Sequence, residues 1–143
     1  MNSKLSVTVK KQIHAPVGKV WEALITPSMV KQYLFDTNVA SDWKKGSAIT
    51  YSGEWQGKPY TDKGTIIEII PDRLLHTTYL SGMSGKEDKP ENYANVIYKL
   101  EPAGPNTTLV ILEQDNIENP EGAKHMEDNW NMVLDNMKKL LEK

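Results

Sequence analysis

Apolar and polar residues alternate from the first few positions. Leu5, Val7 and Val9 stand against Ser6, Thr8 and Lys10, the period of a strand with one buried face. After Ala15-Pro16 the period changes. Val17, Val20, Trp21 and Leu24 fall on one helical stripe, and Pro16 is tolerated in a first turn. Thr26-Pro27 restarts the pattern as a cap and a first helical position, with Met29, Val30 and Tyr33 as a second short face. Alternation returns at Ser47–Ser52, and Gly53–Pro59 reads as a hairpin connection. Strands are predicted over Thr61–Ile70 and Leu74–Leu80 around the Pro71-Asp72 turn, then over Tyr93–Leu100 and Thr107–Gln114 around Pro102–Asn106. Ser81–Glu91 reads as a solvent loop. Asn119 and Pro120 start a final helix whose stripe is Met126, Trp130, Val133, Met137, Leu140 and Leu141. About 22 residues of helix span about 33 Å, and only a broad curved sheet offers that much apolar surface. The pattern therefore predicts an α+β fold: a strand, two short helices, an antiparallel sheet and a long C-terminal helix across it.

Length fits this to one domain over residues 1–143, because 143 residues is ordinary domain size. Hydrophobic residues at 38% and charged residues at 25% argue against disorder. A net charge of −2 gives no electrostatic footprint for nucleic acid. No apolar run reaches the length of a membrane span, and no signal-peptide pattern opens the chain, so a cytoplasmic protein is expected. Cysteine is absent, which excludes disulfides, thiol nucleophiles and Cys-bound metals. One Phe stands beside four Trp and six Tyr, a bias toward rings that carry a polar tip.

Several strings, in order along nearly the whole chain, resemble the helix-grip fold of the START and birch-pollen-allergen superfamily (SRPBCC). Within it, the chain is similar to the group of activator-of-heat-shock-protein-90-ATPase homologues. The strings are Ile13-His14-Ala15-Pro16-Val17-Gly18-Lys19-Val20-Trp21-Glu22-Ala23-Leu24, Asp42-Trp43-Lys44-Lys45-Gly46, Gly53-Glu54-Trp55-Gln56-Gly57-Lys58, Gly64-Thr65-Ile66-Ile67-Glu68-Ile69 and Asn129-Trp130 through Leu141-Glu142. Asn129 stands where many relatives have Gly. The resemblance implies a sheet curved around the long helix with a cavity between them, used by some relatives for hydrophobic ligands and by others for cyclising polyketides. The eukaryotic namesake binds a chaperone but carries an extra N-terminal domain for which these 143 residues leave no room, so chaperone activation is poorly supported.

His14, His76 and His125 lie on distant segments without ligand spacing, so no metal is expected. Gly82-Met83-Ser84-Gly85 lacks the Lys-Ser/Thr ending of a phosphate loop, and there is no Gly-x-Ser-x-Gly elbow. No cofactor is expected either. Glu113 shares a strand face with Leu109 and Ile111, while Val110 and Leu112 share the other. If the first face turns inward, Glu113 enters a cavity mouth with a raised pKa; if not, it is a solvated edge residue. Apolar residues on both faces leave the two registers open. Trp21 and Trp130 read as core anchors on their stripes, and Trp43 and Trp55 as loop residues packing onto the sheet.

Three functions follow. The first is a non-enzymatic module holding a small hydrophobic or amphipathic molecule between sheet and helix. Its site would comprise Tyr51, Ile67, Ile69, Tyr79 and Tyr98, with Ile111, Glu113, Met126 and Trp130. The second is a protein-interaction module of co-chaperone or stress type. The third is an enzyme on a bulky ring substrate, with Glu113 or His76 as proton shuttle. The absent nucleophile and motifs favour binding over covalent catalysis.

Overall fold

Seven strands form one antiparallel sheet in the order β1-β7-β6-β5-β4-β3-β2 in the computed structural model, which describes residues 5–81 and 87–142. The segment Gly82–Gly85 and the ring of Trp55 lie outside the described residues. The elements run β1 (Leu5–Ile13), α1 (Val17–Ile25), α2 (Pro27–Tyr33), β2 (Asn38–Ser41), β3 (Ala48–Trp55), β4 (Lys58–Ile70), β5 (Leu74–Tyr79), β6 (Ala94–Gly104), β7 (Thr107–Ile117) and α3 (Pro120–Leu141), with a single 3-10 turn at Pro90–Asn92. This is the expected helix-grip α+β arrangement, with two short helices after the first strand and α3 lying along the curved sheet.

The strand boundaries sharpen at three places. The expected hairpin connection over Gly53–Pro59 shrinks to Gln56-Gly57, because both residues take positive φ (51° and 79°) and make the tight turn that suits strand twist. The short edge strand β2, with Val39 as its buried residue, has too little alternation to be read from sequence. β6 and β7 run further toward their shared hairpin, and a register shift between Pro102 and Gly104 absorbs the proline.

β4 is the corner of the sheet. Its first part, Lys58–Thr65, pairs with β3, whereas Ile66–Ile70 pairs with β5, with a register shift between Ile66 and Glu68. Gly64 sits at this corner. A Cβ there would lie 1.7 Å from the carbonyl oxygen of Thr78, so only glycine lets the two strands approach. Bulge and glycine together bend the sheet toward the helices.

The core lies between the concave sheet face and the helices. Val133, Leu134 and Met137 of α3 are fully buried, and so are Val20 and Ala23 of α1. Opposite them stand Val9 and Ile13 of β1, Val110 and Leu112 of β7, and Val96 and Leu100 of β6. Asn119 caps α3 by accepting from Gly122 N at 2.7 Å. The other end of α3 is held to β1: Glu142 accepts from His14 N at 2.8 Å, Lys138 reaches Gln12 O at 3.4 Å, and Asp135 pairs with Lys11 at 2.6 Å.

Candidate ligand-binding site

Strand parity assigns each residue of the sheet to a face. Val110, Leu112 and Gln114 of β7 pair with Leu100, Tyr98 and Val96 of β6, and all six are buried. This settles the register that the sequence left open: the Val110/Leu112 face turns inward. The same parity places Leu75, Thr77 and Tyr79 of β5, Asp62 and Ile66 of β4, and Ile49 and Tyr51 of β3 on the concave side.

Toward the N-terminal end of α3 the concave face becomes part polar. Tyr51 and Tyr79 meet edge to face at 5.9 Å between ring centroids, and Tyr98 meets Trp130 in the same way at 6.3 Å. Tyr79 donates to Asp62 Oδ2 at 2.5 Å. Trp130 Nε1 donates to Gln114 Oε1 at 2.6 Å, tying helix to sheet. Burial pushes the Tyr51 hydroxyl up to about 12; the Asp62 carboxylate adds to this, and a hydrogen bond with Thr77 opposes it. Tyr98 is raised further, first by burial and then by Tyr51. Tyr79 is raised by burial and by its bond to Asp62. These hydroxyls are neutral donors and acceptors at ordinary pH, so they can orient a ligand but supply no base.

An open depression of about 290 Å³ lies where this polar end meets the start of α3. Leu80, Ala94, Ile117 and Met126 give it apolar walls, and Tyr79 and Gln114 give it polar groups. Further along α3 the space between helix and sheet is filled by Val133, Leu134 and Met137. The depression thus lies at the mouth of the fold, beyond these packed residues.

Of the residues expected to line a cavity, the structure brings Tyr51, Tyr79, Tyr98 and Trp130 together, with Tyr79 and Met126 on the depression wall. Ile69 is on the core side but beside Leu75, at the far end of β5 from Tyr79. Three expectations are corrected. Ile67 is 41% exposed on the outer face, turned out by the bulge beside Ile66. Ile111 and Glu113 lie on the outer face because their neighbours Val110 and Leu112 take the core. Ile111 is covered there between Lys10 and Lys99, the residues it pairs with on β1 and β6. Glu113 pairs with Lys99 at 3.3 Å. His76 is also outside, where Nε2 meets Asn95 Oδ1 at 2.8 Å and Asn95 in turn bonds Asp115. Neither candidate proton shuttle reaches the depression.

The sequence reading missed Gln114, Asp62 and Thr77. The signal for Gln114 was its place in the alternation after Val110 and Leu112: a polar residue on the core parity of a strand, ahead of a helix carrying Trp. Asp62 could have been found the same way, once Ile66 was known to face inward. Trp21 is buried, and Trp43 packs half-buried against the core, as expected. Among the described residues no group of three or more His, Asp or Glu side chains is placed to hold a metal ion. None of the described helices is long and apolar enough to cross a membrane.

Comparison with known proteins agrees with this geometry. The family model described as "Activator of Hsp90 ATPase homolog 1-like protein" matches residues 14–142. A solution structure from Cytophaga hutchinsonii is 47% identical, with a TM-score of 0.86, over 99% of this chain and 97% of that one. CalU16 from Micromonospora echinospora shares the fold at 22% identity and a TM-score of 0.73, over 96% of this chain and 76% of that one. The Aha1 dimer from Colwellia psychrerythraea shares it at 19% identity and a TM-score of 0.74, over 96% of both. No protein of curated function matches this chain.

Proposed function

The chain belongs to the Activator of Hsp90 ATPase homolog 1-like family, and on that premise we propose that it is a binding module for a small hydrophobic or amphipathic molecule, working in the cytoplasm. The ligand occupies the depression at the start of α3, between Met126 and Ile117 on one side and Tyr79 and Gln114 on the other. The observation that carries this reading is the makeup of that depression. It combines apolar walls from Leu80, Ala94, Ile117 and Met126 with polar side chains that include Tyr79, Gln114, three asparagines and Glu118, a mixture suited to an amphipathic small molecule. Gln114 is in turn held by Trp130, which meets Tyr98 edge to face. Native mass spectrometry of freshly purified protein should show a small-molecule adduct. Met126→Trp, which fills the depression, should remove it. A bare protein mass, together with no shift of the Met126 or Ile117 methyl resonances in a fragment screen, would overturn the reading.

A second reading, a co-chaperone or stress-response interaction module, is favoured by the family description itself. It predicts that the chain binds the cognate chaperone and changes its ATPase rate. Absence of both effects rejects it without touching the first reading.

A further inference from the structure

Gln114 is 9% exposed, yet its carboxamide is only half used. Its Oε1 accepts the indole N–H of Trp130 at 2.6 Å. An indole nitrogen is only a donor, so this bond fixes which way the amide is turned. The Nε2 amide group then points away from Trp130, and no hydrogen bond among the described residues uses it. No fully buried side-chain nitrogen or oxygen among the described residues lacks a partner. The amide N–H₂ therefore reaches open space. Gln114 borders two depressions, one on each side of the sheet end. Its side chain is on the concave side, bonded to α3, so the space it reaches is the one walled by Met126 and Ile117.

We infer that Gln114 is the specificity-determining residue of this site, and that the site selects non-anionic, ring-sized apolar molecules bearing a hydrogen-bond acceptor of carbonyl type. This rests on the ligand-binding reading above and adds the ligand class. The acceptor follows from the group on offer, since an amide N–H₂ can only donate. A desolvated donor left unpaired beside an apolar ligand is costly, so a hydrocarbon of the same shape is rejected. Discrimination against anions follows from the wall, where among the described residues Glu118 is the charged one and no Lys, Arg or His lines the space. About 290 Å³ is at the low end for small-molecule sites, which fits one or two fused rings. Trp130 acts as a positioning residue, because its indole holds the amide in the donating orientation.

Three probes of nearly one shape separate these terms: 2-acetylnaphthalene, 2-ethylnaphthalene and 2-naphthoate. Binding is followed by shifts of the Gln114 side-chain amide, the Trp130 indole N–H and the Met126 methyl. The ketone should bind about tenfold more tightly than the hydrocarbon, the worth of one hydrogen bond, and should move the Gln114 amide resonances. The carboxylate should bind no better than the hydrocarbon. Gln114→Glu keeps an acceptor for Trp130 but removes the donor, so the ketone's advantage should vanish while the Trp130 indole signal stays in place. If the buried carboxylate prevents folding, Gln114→Leu tests the same loss of preference. Equal binding of ketone and hydrocarbon, or a preference that survives both variants, overturns this inference and leaves the binding reading standing. If none of the probes moves the Met126 methyl, this inference falls, while the binding reading is decided by its own mass-spectrometric test and fragment screen.

Discussion

The side chain missing from Gly64 is what lets β4 turn beneath β5. A methyl group there would meet the Thr78 backbone, which cannot rotate aside as a side chain can. Gly64→Ala should therefore cost about 3 kcal/mol or more, read from the denaturant midpoint. Gly53 provides a control. Its added Cβ would meet only the ring end of Tyr60, closest at 2.8 Å, and Gly53→Ala should cost distinctly less. An equal loss at both sites would show that Gly64 is not the corner. Glu113 makes the opposite case. Its partner is the exposed Lys99, and exposed pairs contribute at most about 1 kcal/mol. Glu113→Gln should leave both folding and the affinity of any ligand in the depression unchanged within error. A large loss of ligand affinity would place Glu113 nearer the site than its strand face allows.

Among the elements, α3 shows best what the amino-acid pattern could and could not reveal. Its apolar stripe and its Asn119 cap are readable from spacing alone, because capping and periodicity are local properties. How deeply each residue of the stripe sits is not local. Met126 is half-buried at the mouth, while Val133 and Met137 have no exposure at all, a difference imposed by β1 and α2 packing on one half of the helix. Leu134→Ala should cost 2–5 kcal/mol of stability by leaving a hole in that half. Met132→Ala, on the exposed side of the same helix, should cost about 0.5 kcal/mol or less. Similar losses in thermal unfolding would mean that the helix is seated differently. β7 was harder to read for a reason also visible in its residues. Ile111 on the outer face and Leu112 on the inner face are both buried, so hydrophobicity could not tell the two sides apart. The site followed the register. With β7 undecided, Gln114 stayed hidden and Glu113 looked more promising than it is.

For the whole molecule, the polar-tipped rings tie stability to alkaline pH. Tyr33 and Tyr98, enclosed by the core, are raised by burial first, with smaller contributions from other tyrosines, and Tyr51 and Tyr79 are raised too. In the unfolded chain tyrosines ionise near pH 10. Below that pH both states hold these protons and the contribution to stability is fully present. As pH rises from about 10 through 12, the unfolded chain releases protons that the folded chain keeps, so stability falls. The tyrosinate absorbance of these residues should appear together with loss of far-ultraviolet circular dichroism. If all six tyrosines ionise near pH 10 with the dichroism intact, the buried placement of these rings is refuted.

The clasp between β1 and the end of α3 has a consequence for the order in which the protein is assembled. His14 and Glu142 are 128 positions apart, and β1 gains its strand neighbour among the described residues, β7, late in the chain. A ribosome delivers β1 first, but everything that secures it emerges last. The local hairpins from β3 to β6 can form while β1 waits with Val7, Val9 and Ile13 uncovered, since distant contacts must bear the larger loop-closure cost. The first strand made is the last one locked, and until α3 arrives its apolar edge is the part of the nascent chain most open to unwanted pairing.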